Sequence, residues 1–151
     1  MTSKTHQLPY IRRRCTIATK TAEPDRKTRL NAAKNFAIEA ARLAASTRCH
    51  DVVVLDVSGV SPVTDYFVIA TGTSARQMRT VIDEVDELGE KHNYSALARS
   101  GYDGDQWILV DFVDVLVHVF NDEARLYYDL DNLWADAKRV NWQPSEPAEP
   151  R

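Results

Sequence analysis

A few residues in this chain are of types that could do chemistry. Gly72-Thr73-Ser74 stands where a predicted strand gives way to a predicted helix. Free backbone N–H groups and the helix dipole favour anions at such a place. The P-loop ending Gly-Lys-Ser/Thr and the Gly-x-Gly-x-x-Gly fingerprint are both missing, so a tight turn with a helix cap competes with a phosphate site. Nucleotidyl transfer would need two carboxylates converging on metal ions. Asp103 and Asp105 have the spacing of one strand face but fall in a loop, and Asp111 and Asp114 are three apart across a turn. Both pairs read as turn residues, a use that Asp favours. His118 lies inside a predicted core strand with no nucleophile or carboxylate beside it. A general base needs such a partner within reach, so His118 reads as a hydrogen-bonded core residue. His50 follows Cys49 without a second ligand pair, which argues against a structural zinc site. No cofactor and no metal are expected.

The elements that must position these residues follow from periodicity. Leu30, Ala33, Phe36, Ala37, Ala40, Leu43 and Ala44 recur at three and four residues and predict a helix from about Thr28 to Thr47. Asp51–Val57 and Asp65–Thr71 are β-branched and predict strands. The second would put Tyr66, Val68 and Ala70 on one face and Phe67, Ile69 and Thr71 on the other. Ser74 followed by Gln77 is a capping box, opening a helix with Met78, Val81, Ile82, Val85 and Leu88 inward. Gly89 and Asn93 suggest that it frays and stops. A short strand at Ser95–Arg99 and a turn at 101–104 lead to a strand at Trp107–Phe112. Val115–Phe120 is apolar on both faces apart from His118 and predicts a central strand. Asn121 or Asp122 can cap a short helix, and Leu130–Trp134 is a final turn or helix. The order predicts an α/β (α+β) domain: a mixed sheet of about five strands flanked by helices.

The chain of 151 residues has room for one domain with tails. Residues 1–27 lack apolar periodicity and read as a disordered basic arm; 28–142 read as the domain, and 143–151, with three prolines, as a flexible tail. Residues 1–29 carry eight Lys/Arg and two Asp/Glu, while the rest carries 11 basic and 20 acidic residues. An acidic domain repels phosphate but suits a basic protein partner, or is acidic only for solvation. The arm is an organelle transit peptide or, through Arg12, Arg13 and Arg14, a possible rRNA contact. No run is long and apolar enough for a transmembrane helix, so no membrane partner is expected. Cys15 and Cys49 fit no metal or redox spacing and read as free thiols in a reducing compartment.

Five stretches in series carry a resemblance: Val52–Val57, Thr64–Gln77, Trp107–Asp111, Val117–Phe120 and Tyr128–Trp134. Together they closely resemble the ribosomal silencing factor family, also called the Iojap family, over about residues 28 to 142. The resemblance implies a fold related to nucleotidyltransferases without their catalytic carboxylates, and a protein that is not an enzyme. It implies binding to the large ribosomal subunit through its protein uL-fourteen, steric blocking of small-subunit joining, and repression of translation. It also implies a homodimer when free and a cytoplasmic location. Organelle relatives act in large-subunit biogenesis, which is the alternative; a nucleotide-binding enzyme is a further one.

Candidate partner-binding residues are Trp107 and Leu109, which share the strand face opposite Ile108 and Val110, with Asp111 and Asp114 supplying charge. Tyr128 and Trp134 are aromatic anchors or core packing under the last helix. Asp65, Tyr66 and Arg76 match the family motif, though Asp65 and Arg76 serve equally well as capping and helix-surface residues. Two positions depart from the pattern. Val113 stands where the family usually has Gly, so the turn there differs or is strained, and Ser100 stands where Glu commonly precedes Gly101.

Overall fold

The computed structural model describes residues 25–144; the predicted basic arm up to residue 24 and the tail from 145 onward lie outside the described residues. The chain divides after Leu30 into two compact units. Of the first, residues 25–30 are described: Asp25 Oδ1 accepts the Thr28 N–H at 2.9 Å and caps the opening turn of helix α1 (Arg26–Ser46). The second unit, residues 31–151, holds the sheet.

Within that unit α1 buries Ala33, Phe36, Ala37, Ala40, Ala41 and Ala44. Small side chains let a helix approach its neighbours closely. The strands are β1 (His50–Asp56), β2 (Tyr66–Thr71), β3 (Ala98–Ser100), β4 (Trp107–Asp111), β5 (Val115–Phe120) and β6 (Lys138–Val140). Helix α2 (Ala75–Lys91) follows β2, and two short helices, α3 (Asp122–Tyr128) and α4 (Leu130–Leu133), follow β5. The sheet has six strands in the order β3-β4-β5-β2-β1-β6, one more than the five expected. The missed strand, β6, reads Lys-Arg-Val, with no apolar alternation to reveal it, because it is an exposed edge. β2 and β5 run parallel and every other pair is antiparallel.

Register assigns the two faces, since paired residues point the same way. Ile108, Val119 and Ala70 align across one face, as do Val110, Val117, Val68 and Val54. All are buried, and Phe112 on this face meets Phe36 of α1 edge-on at 4.9 Å. A Cβ at Gly89 of α2 would come within 2.9 Å of the Phe112 ring, so that glycine permits close packing. The helix does not fray there; it runs on to Lys91, and Asn93, at φ 65°, turns the chain away. Both long helices therefore lie on one face.

The opposite face carries Val53, Leu55, Phe67, Ile69 and Phe120, packed with Ala124 of α3 and Leu130 of α4. Topology explains this cover. β5 and β6 are separated by β2 and β1, so the chain leaving Phe120 must cross both strands to reach Lys138. α3 and α4 are that crossing. Asn121 starts it by accepting the Ala124 N–H at 2.7 Å. Arg125 then donates to Thr71 Oγ1 at 2.7 Å and to both carboxylate oxygens of Asp131, at 3.0 and 3.1 Å. This fork clamps α3 to the end of β2 and to α4.

The clamp leaves a pH signature. Burial pushes the Asp131 carboxyl up, but hydrogen bonds and charge from Arg125, a backbone hydrogen bond and the charge of Arg139 carry it below the ordinary Asp value. A depressed pKa contributes stability above the unfolded-state value, lost as pH falls through the folded one. Arg125→Met should cost about 1–3 kcal/mol at pH 7. In urea unfolding, the gap to the unsubstituted protein should narrow as pH falls below about 4. An equal gap at both pH values would mean that Arg125 acts by packing alone.

The turn between β4 and β5 settles the question posed by Val113. Its φ is 75°, in the left-handed region, and its side chain is half exposed. Asp111 Oδ1 accepts the Val113 N–H at 2.7 Å and holds the turn in place. A left-handed conformation costs an L-residue about 1–2 kcal/mol, and glycine partly forfeits that gain through its more mobile unfolded chain. Val113→Gly should therefore raise stability by about 0.5–1 kcal/mol; an unchanged or lower unfolding midpoint refutes strain at this turn.

Candidate docking face

The anion reading of Gly72–Ser74 is displaced by internal bonds. The Gly72 N–H donates to the Phe120 carbonyl at 2.7 Å, and the Thr73 N–H to Gln77 Oε1 at 3.0 Å. Ser74 Oγ accepts the Gln77 N–H at 3.1 Å, as the capping box predicted. A Cβ at Gly72 would meet Met78 Cγ at 2.3 Å, so this glycine serves packing. His50 Nε2 meets Asp122 Oδ1 at 2.9 Å on the surface, and Gln77 Nε2 donates to the buried Cys49 Sγ at 3.5 Å. Among the described residues no group of three or more His, Cys, Asp or Glu is placed to hold a metal ion. None of their helices is long and apolar enough to cross a membrane.

The crossing helices leave part of their sheet face uncovered. α3 and α4 pack on β1, β2 and Phe120 of β5, and the β4 side carries Trp107, Leu109 and Asp111 in a row, each half-buried. Alternate strand residues span about 13 Å from the first of these to the third. Leu116 of β5, opposite Asp111, is half-buried beside them. The acidic end of the row holds Asp111 and Asp114. Asp65 is there too, because its N–H donates to the Asp114 carbonyl at 3.0 Å.

At the other end aromatic rings collect. Trp107 lies 4.9 Å from Phe120 and 4.6 Å from Tyr128, centroid to centroid. Tyr128 is 42% exposed, so its ring closes one side of the indole while remaining on the surface. Trp134 lies away from this end: it is half-buried and stands edge-to-face at 5.1 Å on Phe67, which pairs with Leu116 level with Asp111, so it belongs to the core under α4.

His118 is buried beneath the row, opposite Leu109 on β4 and Ile69 on β2. The Trp107 Nε1–H donates to its Nδ1 at 3.2 Å. An indole nitrogen only donates, so Nδ1 holds a lone pair and the ring proton sits on Nε2. Nε2 is buried without a hydrogen-bond partner among the described residues. An unpaired buried donor costs about 1–3 kcal/mol. Burial drives the His118 pKa down to about 3, which keeps the ring neutral at physiological pH.

Of the sequence-predicted residues, the fold brings together Trp107, Leu109, Asp111, Asp114, Tyr128 and, at the edge, Asp65 and Trp134. It does not bring Tyr66 or Arg76 to this face. Tyr66 is 4% exposed, and its hydroxyl pKa is pushed up by burial and then by the charges of Asp56 and Asp65. Arg76 is exposed in the first turn of α2, the helix that covers the other face, in a cleft with Arg48 and Thr80. Sequence reasoning missed Leu116, Leu126, Tyr127 and Leu133. The last three are 82%, 81% and 72% exposed, an apolar cluster on the outer side of α3 and α4. For Leu126 the signal was available: in a seven-residue helix that buries Ala124, the residue two positions on points to the opposite side, whereas Tyr127, three on, is not excluded from that face by spacing.

Comparison with known proteins follows this geometry. The family model described as "Ribosomal silencing factor during starvation", RsfS, matches residues 30–151. The ribosomal silencing factor RsfS of Bacillus subtilis is 39% identical over 90 residues, covering 60% of this chain and 76% of that protein. The chloroplastic Iojap protein of Arabidopsis thaliana is 30% identical over 116 residues, covering 77% of this chain but 48% of its own length. A crystal structure of a Chromobacterium violaceum protein superposes with a TM-score of 0.63 at 29% identity, covering 70% of this chain and 86% of that one. With the family model running from the second turn of α1 to residue 151, and solved relatives sharing the fold, this chain belongs to the RsfS family of ribosomal silencing factors.

Proposed function

We propose that this chain represses translation without catalysis, by binding the large ribosomal subunit through uL-fourteen and blocking the small subunit from joining. The observation that carries this reading is the uncovered strip of sheet at Trp107, Leu109, Asp111 and Leu116. The other face of the same strands is fully buried under two long helices. A half-buried Leu and Trp flanked by carboxylates suits a partner that is apolar at its centre and basic at its rim. The excess of acidic residues beyond residue 29 favours a basic ribosomal protein over bare RNA phosphate. The chloroplastic relatives favour a second reading, in which the same face serves large-subunit assembly inside an organelle. Cell fractionation separates the two, since the second requires co-purification with organelle ribosomes.

The purified chain should co-sediment with isolated large subunits and prevent their pairing with small subunits; undiminished joining at saturating protein sinks the proposal. Leu109→Arg should weaken that binding by roughly 100-fold, the scale of a central interface residue. For charge, Asp111→Asn is a cleaner probe than reversal to Arg, because Asn retains an acceptor for the Val113 N–H. It should weaken binding several-fold at low salt and little at high salt, where screening removes the rim contribution.

A further inference from the structure

His118 is a polar ring where stability alone would place an apolar one. Its neighbours across the strands are Ile69 and Leu109, with Phe67 edge-to-face at 5.0 Å and Phe120 nearly parallel at 6.1 Å. Nε2 makes no hydrogen bond among the described residues. The hydrogen bond from the Trp107 indole to Nδ1 is therefore what the polar ring supplies. Packing against Phe120 and Tyr128 restrains the plane of that indole. Packing alone leaves open which edge of the ring points inward, because rotation about an sp³–sp² bond is broadly two-fold. An acceptor on one side removes the ambiguity.

We propose that His118 is the positioning residue of the docking face: its Nδ1 holds the Trp107 indole in one of two packed orientations, presenting the other edge to the partner. The inference rests on the reading of this face as the docking surface. The chemistry suits the task. Nδ1 accepts only while the ring is neutral, and burial keeps it neutral across the physiological range. An aromatic anchor held in its bound orientation before contact loses less freedom on binding, so the positioning contributes affinity without a contact of its own.

The test uses the full chain, with isolated large ribosomal subunits as the probe. His118→Phe keeps a ring and removes the acceptor. It should still fold, since the unpartnered Nε2–H leaves with the ring and offsets the acceptor lost to the half-buried Trp107 N–H, so that the melting temperature moves little, yet bind about tenfold more weakly, as expected for loss of one oriented contact. The Trp107 indole N–H should exchange faster with solvent, and its ¹⁵N–¹H resonance should move. His118→Asn, whose amide oxygen falls near the place of Nδ1, should restore binding to within about threefold and slow the exchange. If His118→Phe does not fold, His118→Gln, which carries its amide to the Nε2 side, should show the same loss. On a Trp107→Phe background the His118 substitutions should change nothing further. Unaltered binding and unaltered indole exchange in His118→Phe overturn the positioning role. Unaltered binding in Trp107→Phe, by contrast, overturns the docking reading at this face, and the exchange measurement still decides whether His118 holds the indole.

Discussion

Because β2 and β5 lie side by side and parallel, the chain between them must make a crossover instead of a hairpin, and α2, β3 and β4 are carried in it. That one pairing orders the rest of the molecule. It places β5 in the interior of the sheet, with β4 and β3 outside it on one side and β1 and β6 on the other. The long helix of the crossover and the long helix before β1 share a face, where Phe36, Met78, Val81, Ile82 and Val85 are fully buried. The way out from β5 must then pass over β2 and β1 on the other face. Only two short helices are available for that passage, seven and four residues long. They cover β1, β2 and the end of β5, and reach β4 only where Tyr128 meets Trp107. The half-buried row on β4 is thus a consequence of topology before it is a feature of any partner.

A face left open by topology must still be prevented from behaving as a sticky edge. Here it is hemmed at one end by Asp111 and Asp114 and at the other by stacked rings. Asp111 serves both the turn and the rim: one carboxylate oxygen holds Val113 in its left-handed conformation. The β-branched residue at that point stores strain at the acidic end of the row, so the turn and the docking face share one side chain. Edge protection is handled separately. β3 carries Arg99, which pairs with Asp86 of α2, and its residues are exposed, as befits a short outer strand.

The sheet was legible in the sequence wherever burial imposed a pattern. β5, covered on both sides, showed as a continuous apolar run, and β4, covered on one, as alternation. The same alternation separated Trp107, Leu109 and Asp111 from Ile108 and Val110. Legibility ended where physical constraint ended. β6 is Lys-Arg-Val because it is held mainly by pairing with β1, beside one long ion pair from Arg139 to Asp131, and pairing uses backbone atoms that carry no sequence signal. Gly89 was misread for the opposite reason: a packing constraint from Phe112, distant in sequence, put glycine inside a helix where local rules read a stop. Tyr66 and Arg76 fell in a motif contiguous in sequence, but strand alternation and the helix after β2 carry them to the far face. A motif marks residues kept together in the chain, whereas a docking surface needs residues kept together in space.

The crossing helices also explain why the aromatic end is rigid enough to act as a contact surface. Helices of four and seven residues have little stability of their own, since nucleation costs more than so few backbone bonds return. Their order has to come from side chains. Asn121 caps the first, Leu130 and Ala124 bury against the sheet, and Arg125 spans β2, α3 and α4 with three hydrogen bonds from one guanidinium. Tyr128, at the end of α3, closes over Trp107 from a helix tied to β2 by that fork, while Leu130 and Trp134 pack α4 onto Phe67 of the same strand. The fork at Arg125 and the hydrogen bond at His118 thus act on the same indole from two directions. One holds the ring that covers it and the other holds the edge beneath it. A surface built this way is ordered before any contact, so little freedom is left to lose at its aromatic end.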